Sequence, residues 1–285
     1  MLYFVYFSIS IKTGDIKLKK LDHLAEIYTS YDTFIIDLWG VMHNGIKLNL
    51  KAVAAVDNLM KNKKKVVFLS NAPRPSSEVK RFLNQLKMED KYLKNILTSG
   101  EAVIQALQNH KYGNFFFHLG PKRDDSIFFK IKENNTSLEK CNFILCTGLL
   151  DDHESDLNFY KELLKNHTEK KLICTNPDLT VHRGDVEEYC AGSIANLFEL
   201  AGGKVIYFGK PYKEIYKMCF EEGEKTIAIG DNLNTDIRGA NNMNIDSIFI
   251  SNGVHRSEFK NDSELSALLL KYKVKASYYQ PQLIW

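Results

Sequence analysis

The run Ile35-Ile36-Asp37-Leu38-Trp39-Gly40-Val41 decides how the chain is read. Two β-branched residues lead straight into a carboxylate, and a glycine follows three positions later. An apolar run without polar alternation suits a strand buried on both faces, the kind found in parallel sheets. The pattern recurs outward from it. Val66-Val67-Phe68-Leu69, Lys204-Val205-Ile206-Tyr207-Phe208, Thr226-Ile227-Ala228-Ile229 and Ser247-Ile248-Phe249-Ile250 are equally short and equally rich in β-branched or aromatic residues. Helical stretches separate them, at residues 50–61, 76–86, 212–221 and 236–242. The alternation predicts an α/β fold, a Rossmann-like parallel sheet with helices on both faces.

Four of these strands stop at residues that suit phosphate chemistry. The first ends at Asp37, the second at Ser70-Asn71, the third at Gly209-Lys210-Pro211, and the fourth at Gly230-Asp231, with Asp236 five positions further on. Ligands of open parallel sheets bind beyond the carboxyl ends of the strands, so these termini are expected to converge on one crevice. Carboxylates without histidine or cysteine partners suit a hard cation such as Mg²⁺. Such an ion would let a phosphate dianion approach Asp37. Lys210 and Ser70 could hold the transferring oxygens, and an aspartate can itself serve as the nucleophile.

Residues 110–203 read differently. Strands are expected near Phe115-Phe116-Phe117, Phe143-Ile144-Leu145 and Leu172-Ile173-Cys174, broken by polar stretches, and none ends in residues of the kind just described. This is read as a smaller α/β domain inserted into a core made of residues 1–109 and 204–285.

Motifs of these types, in this chain order, resemble the haloacid dehalogenase-like (HAD) superfamily, and within it the class IIA phosphatases with a large α/β cap inserted after the second motif. The resemblance covers residues 21–285 and reaches into the cap through Thr175-Asn176-Pro177-Asp178 and Cys190-Ala191-Gly192-Ser193. It implies that Asp37 is the nucleophile and that Ser70 and Lys210 bind the phosphoryl group. It further implies that Mg²⁺ is held by Asp37, Asp231 and the backbone carbonyl of Trp39, with Asp236 supporting the metal water or Lys210. The substrate would be a small phosphorylated metabolite contacted by Asn71, Trp39, Asn176 and Arg183. Caps of this class often mediate dimers, so a homodimer is compatible with the resemblance.

The chain departs from the family pattern at Trp39. Most phosphatases of the superfamily carry Asp-x-Asp, whose second Asp protonates the leaving oxygen. An indole only donates and exchanges no proton near neutral pH. General acid catalysis is typically worth about 10²–10⁴-fold. Its loss predicts weak activity on sugar and alkyl phosphates and relative preference for phenolate, acyl or phosphoanhydride leaving groups. His43, in the turn His43-Asn44-Gly45, offers a substitute acid, against the plainer reading that it packs in the turn. The Trp39 ring could instead pack under the cap as an apolar wall. A phospholigand-binding or regulatory protein that kept the metal site but lost efficient turnover is the alternative function.

Other features carry plainer readings. Asp231 and Asp236 could merely cap a helix, and Asn232 and Asn234 fit that role too. Asn176, Asp178, His182 and Arg183 read either as a solvated turn or as a specificity loop over the crevice, with Arg183 pairing an anionic part of the substrate. Asp151-Asp152-His153-Glu154 reads as a solvated acidic turn before a helix.

Composition bounds the rest. The chain has 285 residues, 44% hydrophobic and 26% charged, the balance of an ordinary globular protein. A formal charge of +3 gives no electrostatic case for nucleic acid or an anionic membrane as the main partner. Five cysteines without a CxxC pair point to a reducing compartment, hence a cytoplasmic protein. The apolar start, Met1 to Ile11, is too short to span a bilayer and lacks a basic leader, so it reads as a local strand or ordered extension.

Overall fold

The computed structural model describes residues 18–285, so the reading of Met1 to Ile11 lies outside the described residues. In chain order the strands are β1 (Lys19–Lys20), β2 (Thr33–Ile36), β3 (Lys65–Ser70), β4 (Ile96–Thr98), β5 (Phe116–Leu119), β6 (Phe143–Cys146) and β7 (Lys171–Cys174). They continue with β8 (Thr180–Arg183), β9 (Val186–Tyr189), β10 (Lys204–Tyr207), β11 (Thr226–Gly230), β12 (Asp246–Ile250) and β13 (Tyr278–Gln280).

Seven of them form a parallel sheet in the order β1-β13-β12-β11-β2-β3-β4. The strand that leads to Asp37 sits well inside it. All four residues of β2 are buried, as its unbroken apolar run requires. The chain leaves β2 towards β3 on one side and returns to β11 on the other. That reversal opens a crevice beyond the carboxyl ends of β2 and β11.

Helices cover both faces. Leu50–Lys61 starts on Asn49, whose side chain accepts from the amides of Lys51 and Ala52. It buries Ala52, Ala55, Val56 and Leu59, the i, i+3, i+4, i+7 stripe of an amphipathic helix, against Phe34, Ile36 and Phe68. On the opposite face Ile35, Val67, Leu69 and Ala228 pack against Ile215, Tyr216 and Ala240. Adjacent residues of β2 thus serve two different cores.

A second parallel sheet has the order β10-β7-β6-β5. It packs on Tyr160, Leu164, Ile194, Ala195 and Phe198. This corrects the reading of Lys204–Phe208 as a strand of the outer sheet. Its residues 204–207 pair with 171–174 of β7, so the inserted unit runs past residue 203 and hands back the chain only at Phe208-Gly209. Phe208 also donates its amide to the carbonyl of Cys174, which extends the ladder with β7. The remaining two strands, β8 and β9, form an antiparallel hairpin. Among the described residues no helix is long and apolar enough to cross a membrane.

Candidate active site

Asp37 is the first residue beyond β2, and its amide still pairs with the Ile229 carbonyl at 2.9 Å, so its position is set by the sheet. Asp231 follows β11 directly. Its approach to Asp37 is made possible by glycines: a Cβ on Gly40 or Gly253 would lie 2.0 or 2.1 Å from Asp231 Oδ2. A Cβ on Gly230 would similarly lie 2.0 Å from Asp236 Cγ. Oxygens of Asp37, Asp231 and Asp236 all lie within 4.8 Å of one another, and all three residues are buried.

Lys210 enters this cluster from the far side, its Nζ 2.6 Å from Asp37 Oδ1 and 2.7 Å from Asp236 Oδ1. The lysine is held by its backbone: Asn71 Oδ1 accepts from the Lys210 amide (2.8 Å) and Asn71 Nδ2 donates to its carbonyl (3.2 Å). Gly209, with φ +111°, passes so near that a Cβ would lie 2.5 Å from Asn71 Oδ1. Asn71, expected at the substrate, is thus engaged with the chain that carries Lys210. Ser70 closes β3, and its Oγ accepts from the Ala72 amide at 3.2 Å.

Capping in the Asp231–Asp236 segment falls to neither aspartate. Asn232 Oδ1 accepts from the Asn234 amide (2.9 Å) and opens a single π-helical turn, Leu233–Ile237, a feature frequent at functional sites. Asp236 turns its Oδ1 to Lys210, while its Oδ2 accepts from the Asn232 amide. Asp231 Oδ2 accepts from the Val254 amide at 2.8 Å.

Electrostatically the cluster is frustrated. Burial, then the charge of Asp236, pushes the Asp231 carboxyl up to about 7. Burial also raises Asp37, although Lys210 opposes the rise. For Lys210 burial works downward, but Asp236 and Asp37 outweigh it and the ammonium is held above its ordinary range. Three buried carboxylates facing one ammonium make an oxygen donor set that a hard divalent cation would neutralise. The residues fit such an ion.

Trp39 does not face open solvent. Its Nε1 donates to the His182 carbonyl at 2.7 Å, and the Arg183 guanidinium lies over the ring, 5.2 Å from the centroid. Gly184 donates its amide to the Asn44 carbonyl at 3.0 Å. The β8–β9 hairpin therefore rests on the turn that follows Asp37. Arg183, expected to pair with substrate, is held by Glu188 across the hairpin at 2.7 and 3.2 Å. Asn176 borders the cavity and accepts from the Asp178 amide at 3.1 Å. Asp178 comes to the core itself, where Asn232 Nδ2 donates to it at 3.3 Å. Burial pushes its carboxyl up to about 6.

His43 is not the missing acid. It is 4% exposed, does not border the cavity, and its Nδ1 accepts from the Gly45 amide at 3.0 Å. Its ring packs between Trp39 and Phe82. Burial and then the charge of Arg183 push its pKa down to about 4, so it stays neutral.

Two groups escaped the sequence reading. His255 Nε2 accepts from the Leu233 amide at 3.1 Å and is braced by Glu258, which steadies the Asp231–Asp236 segment. Gly253 and Val254 close over Asp231. The strand-end rule, applied to Ser247–Ile250, points to Ser251-Asn252-Gly253 and would have found Gly253. Nothing in the sequence pattern singles out His255.

Comparison with known proteins agrees with this geometry. A family profile described as haloacid dehalogenase-like hydrolase matches residues 34–131, and another described as HAD-hydrolase-like matches residues 207–271. The 5'-nucleotidase YutF of Bacillus subtilis is 23% identical over 244 residues, covering 82% of this chain and 92% of that protein. The ribonucleotide monophosphatase NagD of Escherichia coli is 31% identical over 88 residues, 30% of this chain and 34% of NagD. A crystal structure of a haloacid dehalogenase-like hydrolase from Brucella suis superposes with a TM-score of 0.82 at 25% identity, covering 93% of this chain and all of that one. Carboxylates at the tips of β2 and β11, a lysine brought between them, and family matches over residues 34–131 and 207–271 place the chain in the haloacid dehalogenase-like hydrolases, class IIA.

Proposed function

We propose that the chain is a Mg²⁺-dependent phosphomonoesterase that acts on a small phosphorylated metabolite through an aspartyl-phosphate. The relatives named above as nucleotidase and monophosphatase support the reaction class. The observation that carries the reading is the buried meeting of Asp37, Asp231 and Asp236 with the ammonium of Lys210.

Mg²⁺, held by Asp37, Asp231 and the Trp39 carbonyl with Asp236 nearby, would neutralise the phosphate and lower its repulsion from Asp37. Lys210 and the Ser70 hydroxyl orient two phosphoryl oxygens. An Asp37 oxygen attacks phosphorus, the bond from phosphorus to the leaving oxygen breaks, and that oxygen departs with the electron pair. Water then attacks the phosphorus of the acyl phosphate, which releases inorganic phosphate and regenerates the Asp37 carboxylate. Asn71 keeps Lys210 in register during both steps, and the hairpin docked on Trp39 shields the crevice from bulk water.

With an indole at position 39 and a neutral, walled-off His43, neither residue protonates the leaving oxygen. Turnover should favour aryl and acyl phosphates over sugar and alkyl phosphates. The same indole supports a second reading, a phospholigand-binding protein with little turnover. Mg²⁺-dependent release of phosphate from an aryl phosphate, abolished in Asp37→Asn, supports the enzyme. Tight binding of phosphate esters with no release across a broad panel rejects it.

A further inference from the structure

Taking the phosphatase reading as its basis, we infer that the cavity beyond the phosphate site selects esters whose leaving group is uncharged and rejects those that carry a second anion. The cavity, about 480 Å³, lies between the seven-stranded sheet and the inserted unit and is of a size that holds a small metabolite. Among the described residues five side chains with a full positive charge face it, and each is already paired. Arg74 meets Asp124 at 3.4 Å, Arg123 meets Glu154 at 3.9 Å, and Arg256 meets Asp185 at 3.4 Å. Arg183 is gripped by Glu188 and lies over Trp39, while Lys210 is committed to Asp37 and Asp236.

Against these five stand eight carboxyl groups on the same wall, so acidic side chains outnumber basic ones by three. A further carboxylate or phosphate on the leaving group would enter a partly enclosed space where each of the five cations already has a carboxylate within 3.9 Å, against acidic neighbours such as Asp178 and Glu187. There it would compete with carboxylates already beside the arginines, most directly with Glu188 for Arg183. The uncharged part of the wall, by contrast, offers Trp39, Leu149, Val181, Val186 and Tyr189, an apolar surface for a neutral aromatic or aliphatic moiety. Paired cations also supply specificity by exclusion, because each pair broken by the wrong ligand leaves a carboxylate uncompensated.

The test uses two aryl phosphates of nearly equal shape, 4-carbamoylphenyl phosphate and 4-carboxyphenyl phosphate. Expected is a kcat/KM at least tenfold higher for the amide, carried mainly by KM. Glu188→Gln, which frees Arg183, should narrow that ratio at least threefold. Equal or better turnover of the carboxylate by the wild-type protein overturns the inference, as does an unchanged ratio in Glu188→Gln. If neither compound is hydrolysed, the broad ester panel decides the phosphatase reading, and calorimetric binding of both esters to Asp37→Asn decides the charge preference separately. Tenfold tighter binding of the amide supports it; equal or tighter binding of the carboxylate, or no binding of either, overturns it.

Discussion

Replacing Asp231 by Asn should make the metal-free protein more stable near pH 8, although Asp231 stands at the heart of the site. Asn is nearly isosteric and keeps a carbonyl oxygen to accept from the Val254 amide. What it removes is a charge the fold tolerates badly: the Asp231 carboxyl is pushed from 3.8 up to about 7, first by burial and then by Asp236. A tenfold change in an acid's dissociation constant corresponds to about 1.4 kcal/mol, so ionised Asp231 costs the fold up to about 4 kcal/mol at pH 8. The sign follows from linkage. A carboxyl whose folded pKa exceeds its unfolded one favours the fold below about pH 4, and that contribution is lost as pH rises through about 7. Relaxation of the surrounding loops shrinks the effect to about 2–4 kcal/mol, or roughly 5–10 °C in melting temperature. Thermal denaturation in EDTA should therefore rank Asp231→Asn above wild type near pH 8, with the gap closing towards pH 4. Millimolar Mg²⁺ should raise the wild type by mass action and leave the variant nearly unmoved. A variant that melts below wild type in EDTA near pH 8 would refute the claim that these carboxylates oppose the apo fold.

Two further outcomes test the docking of the hairpin on Trp39. Trp39→Phe keeps a ring under Arg183 but removes the donor to the His182 carbonyl, a bond whose loss costs about 1 kcal/mol. Steady-state kinetics should show KM for an aryl phosphate rising about fivefold, more than kcat falls; an unchanged KM would detach the hairpin from substrate binding. Gly45→Ala places a Cβ 2.7 Å from Trp39 Cζ2 at a φ of +83°, and should destabilise by about 1–3 kcal/mol while shifting tryptophan fluorescence. Wild-type melting and an unmoved emission spectrum would contradict the close approach.

Much of the core could be read from the chain. Ile35-Ile36-Asp37 and Ile229-Gly230-Asp231 pair apolar strand interiors with acidic tips, and neighbouring parallel strands necessarily present those tips on one edge. The helix at Leu50–Lys61 was legible as the stretch between two apolar runs, and its buried stripe and Asn49 cap agree with that placement. Less legible were β1, β4 and β13, at two, three and three residues too short for a periodicity to emerge. The polar stretch around His182 and Arg183 was ambiguous for a different reason: β8 and β9 have no fully buried residue, so their pattern resembles that of a solvated turn.

The order of the motifs and the residue types at the strand ends were determined by the chain itself, since strand propensity and apolar runs are local properties. Which sheet Lys204–Tyr207 joins was not, because a short β-branched run fits either ladder, and only pairing with Lys171–Cys174 chose between them. Nor could spacing reveal that Trp39 would meet a carbonyl 143 positions away, or that each arginine at the cavity would already have its carboxylate. Those matches depend on how two separately built sheets come to face one another, and long-range complementarity of that kind exists only once both are folded.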